Sequence, residues 1–143
     1  MLRAFIIVLV LTAFAMADQK RPPAPVDLAR DHAAHAPEKN AAKADIELVR
    51  ALVEQAGAQY TAKQYDDSAK SLDEAKQVLA KGLASAQQQK HDLKQCDLIL
   101  DKVERRLRDY SHGFSTVDRP RVEALLKDVG NTREKLLQML FSK

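Results

Sequence analysis

The chain has 143 residues, a formal net charge of +3 and a single cysteine. One cysteine excludes an internal disulfide, and a small positive excess among many mixed charges excludes a surface of one sign. The chain has no tryptophan and only 5% aromatic residues. Its core must therefore consist of Leu, Val, Ile and Ala, which suits layers of packed helices better than a sandwich of sheets. The composition predicts an all-α fold.

The first twenty residues, MLRAFIIVLVLTAFAMADQK, have the pattern of an export signal. Arg3 precedes an apolar run over residues 4–14, and Ala-Met-Ala then forms a small-x-small cleavage site. An uncleaved membrane anchor is the alternative, but the run is shorter than the roughly 20 residues that span a bilayer. The pattern predicts a signal peptide, residues 1–17, cleaved between Ala17 and Asp18. The mature protein is then periplasmic or secreted and is not an integral membrane protein.

Residues 18–40 contain four of the five prolines, namely Pro22, Pro23, Pro25 and Pro37. Proline disfavours regular structure, and the remaining residues are mostly small or polar. We expect a disordered Pro/Ala-rich linker here, followed by a helical domain over residues 41–143.

Apolar residues follow a helical period after Ala41 and predict a first helix over residues 39–63. Asp66 or Asp67 could then cap a second helix after a tight turn. One face of the first helix carries Ile46, Val49, Leu52, Val53, Ala56 and Tyr60.

A heptad pattern typical of a coiled coil runs onward from Leu72. It passes without interruption through the polar stretch ASAQQQKHDLKQC, residues 84–96, and leaves two architectures open. A turn near residues 87–91 gives a four-helix bundle, whereas an unbroken pattern gives one long helix over residues 67–111. Both consist of two antiparallel helical hairpins. The apolar heptad positions are Leu72, Leu79, Ala86, Leu93, Leu100 and Leu107.

The last helix is predicted over residues 119–141. Gly113 could take the left-handed conformation that ends the preceding helix, and Pro120 suits a first helical turn. Val117 could pack on Val122 as a hydrophobic staple. The apolar face comprises Val122, Leu125, Leu126, Val129, Leu136, Leu137 and Leu140.

Residues 49–81 carry large and small residues at alternating contact positions: Leu52, Ala56, Tyr60, Tyr65, Leu72 and Ala75. This stretch resembles a tetratricopeptide hairpin, although Ser68 stands where that repeat has Ala. The pattern does not recur about 34 residues later, as a repeat protein requires. The resemblance implies a helical hairpin that can pack against another helix.

Cys96, with His91 and Asp92 nearby, is the first candidate for a chemical site. Cys96 occupies an inward heptad position, which favours a small core residue. An exposed Cys96 could instead serve as a redox thiol or form a disulfide dimer. His91 and Cys96 are about 140° apart around a helix and cannot share a metal ion unless the helix breaks. The histidines of DHAAH, residues 31–35, lack further ligands, so we expect no metal site and no cofactor.

A second candidate is a group of five arginines that could contact an anionic envelope surface. Acidic residues alternate with them, which favours a solvated face with locally paired charges. No aromatic residues are interspersed for base stacking, so we expect no nucleic-acid partner. The five are Arg105, Arg106, Arg108, Arg119 and Arg121.

No nucleophile motif and no phosphate-binding loop is present, so we expect no catalytic residues and no enzyme activity. Two amphipathic hairpins with an export signal favour a non-enzymatic module of the cell envelope that binds a protein partner or self-associates. The alternative is a periplasmic small-ligand or metal-binding protein, for instance one that responds to stress.

Overall fold

A computed structural model describes residues 24–142, and the predicted signal peptide lies outside them. Five α-helices make up the described chain: α1 Pro25–His35, α2 Ala41–Thr61, α3 Tyr65–Gln89, α4 Leu93–Gly113 and α5 Arg119–Phe141. A single 3-10 turn, Glu38–Asn40, precedes α2. No strand occurs between residues 24 and 142, which confirms the all-α prediction.

Helix α2 lies at the centre of the packing, against α1, α3 and α4, while α5 packs against α3 and α4. The Ser68 hydroxyl donates to the Ala56 carbonyl, and Gly82 lies beside Ile46, so α2 and α3 run in opposite directions. Asp73 pairs with Arg121 and Lys76 with Asp128, so α3 and α5 run in the same direction. The core lies between these helices and is mainly aliphatic; its largest buried side chains are Ile46, Leu52, Leu79, Leu100, Leu107, Leu125 and Leu136.

Helix α1 occupies part of the segment that the sequence predicted to be a disordered linker. That prediction is wrong for residues 25–35, and Pro22 and Pro23 lie outside the described residues. Pro25 stands at the first helical position, where its missing N–H costs nothing, and Pro37 follows the helix end. Packing against the bundle further stabilises α1, because Val26 is buried and Arg30 binds both carboxylate oxygens of Glu74 in α3 at 2.9 Å.

The heptad pattern does not form one long helix. Helix α3 ends at Gln89, and both Lys90 and Asp92 adopt left-handed backbone conformations before α4 begins at Leu93. The long-helix alternative is therefore wrong, and a turn near residues 87–91 is present. The register continues through the turn because the heptad residues of α3 and α4 both point into the core.

Three predicted details of the helix ends are wrong. Neither Asp66 nor Asp67 caps α3, which is preceded by Gln64; both lie in its first turn, where they still favour the helix dipole. Gly113 does not adopt a left-handed conformation, since α4 ends with Phe114 in an extended one. Val117 is 87% exposed and cannot act as a staple.

Asp45 is a buried carboxyl group in α2, with a relative exposure of 2%. Among residues 24–142 its Oδ2 atom has no hydrogen-bond partner, and the Lys81 Nζ cation lies 4.0 Å from Oδ1. Burial raises the pKa of Asp45, and the charge of Lys81 only partly opposes this effect. Asp45 therefore destabilises the folded state when it is ionised.

None of the helices between residues 24 and 142 combines the length and the apolar character that crossing a membrane requires.

Candidate functional site

A groove between α2 and α4 is the candidate functional site, called here the α2–α4 groove. It encloses about 250 Å³. Val53 and Val103 lie at its floor, but each is only 1% exposed and offers almost no apolar surface to a ligand. Its rim is charged. The lining residues are Arg50, Val53, Glu54, Lys102, Val103, Arg105, Arg106 and Asp109.

Helical periodicity places the rim residues. Lys102 and Arg106 are four residues apart on α4 and share one face, about 6 Å apart along the helix axis. Arg50 and Glu54 have the same spacing on α2 and form an ion pair of 3.5 Å. The two rims therefore differ: the α2 rim is locally neutral, whereas the α4 rim carries the adjacent cations Lys102 and Arg106 together with one carboxylate, Asp109, and Arg105, which pairs with Asp101.

Arg106 differs from the other arginines of the described chain. Of the eight arginines between residues 24 and 142, the other seven have an ion pair or a side-chain hydrogen bond. Arg106 has neither, and Lys102 likewise lies within 4.0 Å of no carboxylate among the described residues. Because arginine is nearly always charged and binds carboxylates in a planar fork, an unpaired pair of cations on the rim of the groove can bind an anionic group.

Aromatic side chains close one end of the molecule near this groove. The Tyr60 ring stacks on Phe114 with a centroid separation of 3.7 Å, and Tyr110 stacks on the same ring at 5.1 Å. The Tyr110 hydroxyl donates to the Val53 carbonyl at 3.1 Å. Burial is the main cause that raises the pKa of Tyr110. The hydrogen bond from Tyr110 to the Val53 carbonyl fixes α4 against α2 and so maintains the shape of the groove.

The Tyr60 hydroxyl joins this end to the start of α5. It accepts a hydrogen bond from the Ser115 backbone N–H at 2.8 Å and donates to Asp118 Oδ2 at 3.2 Å. Both halves of the bundle are therefore tied together at the aromatic end.

An ion-pair network connects α4 with α5 on another side of the bundle. Arg133 of α5 binds Asp97 at 2.8 Å, Asp101 at 3.0 Å and Glu104, and all four side chains are largely buried. Hydrogen bonding to Asp97 is the main cause that raises the pKa of Arg133. With its charges satisfied internally, this network holds helices together and offers no free charge to a ligand.

The five arginines predicted to form one anionic-surface contact point in different directions. Arg105 and Arg108 pair with Asp101 and Glu104 along α4, at 2.9 and 2.8 Å. Arg121 pairs with Asp73 of α3, and Arg119 donates to the Phe114 carbonyl. Only Arg106 turns into the α2–α4 groove without a partner among the described residues. Successive helical positions are about 100° apart, so closeness in sequence did not produce one patch.

Cys96 lies in the core with 0% exposure, as its inward heptad position suggested. Burial is the main cause that raises the pKa of its thiol to about 11. A thiol of this kind is protonated at neutral pH and out of reach of a second chain while the protein is folded.

The histidines do not gather into a ligand set. His91 Nδ1 lies 3.0 Å from its neighbour Asp92, and His35 contacts Asp31 within α1. Across residues 24–142, His, Cys, Asp and Glu form no cluster of three that could hold a metal ion.

The sequence did not reveal the roles of Arg50 and Lys102. Lys102 could have been paired with Arg106 from their four-residue spacing alone. The position of Arg50 beside these two residues could not be predicted from the sequence. It requires α2 to contact α4, which depends on the turn after α3, and the heptad pattern left that turn open.

No protein-family model matches the chain, and neither the curated proteins nor the solved structures include a significant match.

Proposed function

We propose that this protein is a non-enzymatic interaction module of the cell envelope, exported by its N-terminal signal, and that the α2–α4 groove is its binding surface. One observation carries the proposal: Lys102 and Arg106 stand side by side without a carboxylate partner between residues 24 and 142. The other described arginines form an ion pair or, for Arg119, a hydrogen bond to a backbone carbonyl.

The shape of the groove favours a protein partner over a flat anionic polymer. A polymer surface would need several cations in one plane, and the five arginines face different neighbours instead. A groove with a charged rim suits the side of a helix, since carboxylates of that helix can meet the cations while an apolar residue packs on their aliphatic stems.

Charge reversal of the groove tests this function. Wild type and the Lys102→Glu/Arg106→Glu variant are used to capture proteins from the envelope fraction of the source cells at low and high salt. We expect wild type to retain partner chains, including copies of itself, and the variant to lose them. Equal capture by both chains would contradict the assignment of the groove.

The matched control is Lys94→Glu/Lys127→Glu, which changes the net charge by the same amount. Both lysines are exposed, lie outside the groove and have no ion pair among the described residues. This control should capture the same proteins as wild type.

A further inference from the structure

Helix α1 has an outer face that the packing of the bundle leaves unused. Val26 and Arg30 hold its inner face, through burial and the bidentate contact with Glu74. Asp27, Leu28 and Asp31 lie on the opposite side, and Leu28 is 57% exposed. The outer face therefore carries one exposed apolar side chain and, on one side of it, two carboxylates about one helical turn apart.

The two carboxylates of α1 match the two cations of the groove. Asp27 and Asp31 are four residues apart, about 6 Å along the helix axis, which is the spacing of Lys102 and Arg106 on α4. Leu28 follows Asp27 and would meet the aliphatic stems of the two basic side chains. Charge and spacing thus agree on both surfaces.

We propose that the α2–α4 groove receives the outer face of α1 from a second copy of this chain. This inference rests on the proposed function and names its partner. Asp27 and Asp31 pair with Arg106 and Lys102, and Leu28 packs on the aliphatic stems of these two basic side chains. Because each copy carries both surfaces, the contact either closes as a reciprocal dimer or continues into a chain of copies.

The acidic side chains of α1 are free to make this exchange. Asp27 lies 3.4 Å from Arg30, and Asp31 lies 3.3 Å from His35, in pairs that are more than half exposed on the acidic side. Exposed pairs of this kind contribute little to stability. Arg30 also keeps Glu74 as its stronger partner, so recruitment of Asp27 leaves α1 docked.

Sedimentation of the purified chain across concentrations up to about 1 mM measures the association, because dissociation constants near that value are still detectable. We expect wild type to associate, with a weaker tendency at high salt as the charges are screened. Lys102→Glu/Arg106→Glu and Asp27→Lys/Asp31→Lys should each weaken association at least about tenfold, because each variant puts like charges face to face.

Mixing the two variants is the decisive step. In the mixture, the unchanged α1 of the groove variant meets the unchanged groove of the α1 variant, and the basic α1 meets the acidic groove. Association should therefore return to within about threefold of wild type. The Lys94→Glu/Lys127→Glu control should associate like wild type. Circular dichroism should show that every variant keeps the helical content and melting temperature of wild type.

The outcomes separate this inference from the proposed function. A wild type that stays monomeric, or variants that fail alone and also fail when mixed, would overturn the α1 contact. If the groove variant nevertheless loses a different envelope protein in the capture experiment, the groove still functions but its partner is an acidic helix from another chain. If neither experiment responds to the groove variant, both proposals fail.

Discussion

Gly57 of α2 should be essential for the aromatic end of the bundle. A Cβ atom at this position would lie 2.9 Å from Tyr110 Cε1 and closer still to the Tyr110 hydroxyl. Glycine inside a helix normally costs up to about 1 kcal/mol relative to alanine. Gly57→Ala would recover that amount only if the Tyr110 ring did not have to move.

The Tyr110 ring cannot move without losing its contacts. Displacement breaks the hydrogen bond to the Val53 carbonyl, worth about 1 kcal/mol, and disturbs the stack on Phe114, worth about 0.5–1.5 kcal/mol. Overpacking of the neighbouring core adds about 1–3 kcal/mol. After the gain in helix propensity, we expect Gly57→Ala to destabilise the fold by about 1.5–4.5 kcal/mol.

Urea titration and thermal melting measure this change. At about 3–6 °C per kcal/mol for a chain of this size, the melting temperature should fall visibly. Gly130→Ala is the matched control, because no atom lies within 4 Å of a Cβ added in α5, and it should stabilise the fold by about 0.5–1 kcal/mol. In a Tyr110→Phe background the cost of Gly57→Ala should shrink. If both alanine variants stabilise the protein equally, the close packing of Tyr110 on α2 is wrong.

Three other changes test the buried polar groups. Asp45→Asn should stabilise the fold by about 1 kcal/mol at pH 7. The pKa of Asp45 in the folded state is raised above its ordinary value of 3.8. Urea titrations below that pH should therefore show no gain, because the carboxyl group is then protonated in both the folded and the unfolded state. Arg133→Gln should destabilise the fold by about 1–3 kcal/mol, because it removes the cation that Asp97, Asp101 and Glu104 share; equal stability of the variant and wild type in the same titrations would argue against the network. Cys96 should resist alkylation at pH 8 until denaturant is added, because its thiol is buried and its pKa is about 11; mass spectrometry showing rapid labelling of the native chain would place it at the surface.

Helical periodicity and proline position were sufficient to predict α2 and α5. The observed bounds, Ala41–Thr61 and Arg119–Phe141, lie within two residues of the predicted ones. In α5 the pattern predicted more buried residues than the core contains, because Leu137 and Leu140 are 38% and 40% exposed. The helix has partners only on the sides facing α3 and α4, so an apolar stripe wider than that contact remains in solvent.

Helix α1 shows where composition misleads. Four prolines suggested disorder, yet two of them simply bound the helix at Pro25 and Pro37. An eleven-residue helix is marginal by itself. It is stabilised by long-range contacts: Val26 is buried, Ala29 and Ala33 pack against the core, and Arg30 binds Glu74, which is 44 residues away in sequence. A local reading of the chain does not reveal such a contact.

The α2–α4 groove could not be predicted because it depends on the turn between α3 and α4. In one long helix over residues 67–111, Lys102 and Arg106 would lie far from Arg50. The turn brings α4 back beside α2 and creates the groove. Lys90 and Asp92 make this turn in left-handed conformations without any glycine, so the usual sequence signal for a helix end is missing.

Lys90→Gly therefore tests the turn on which the groove depends. Lys90 has a φ of 47°, and a left-handed conformation costs a side-chain-bearing residue about 1–2 kcal/mol more than glycine. After the extra flexibility of the unfolded chain is subtracted, Lys90→Gly should stabilise the fold by about 0.5–1 kcal/mol. The comparison is Gln89→Gly, one residue earlier and still helical, which should destabilise it by a similar amount. If both glycine variants lose stability in urea titrations, the chain continues as a helix through residue 90, and the groove does not exist in solution.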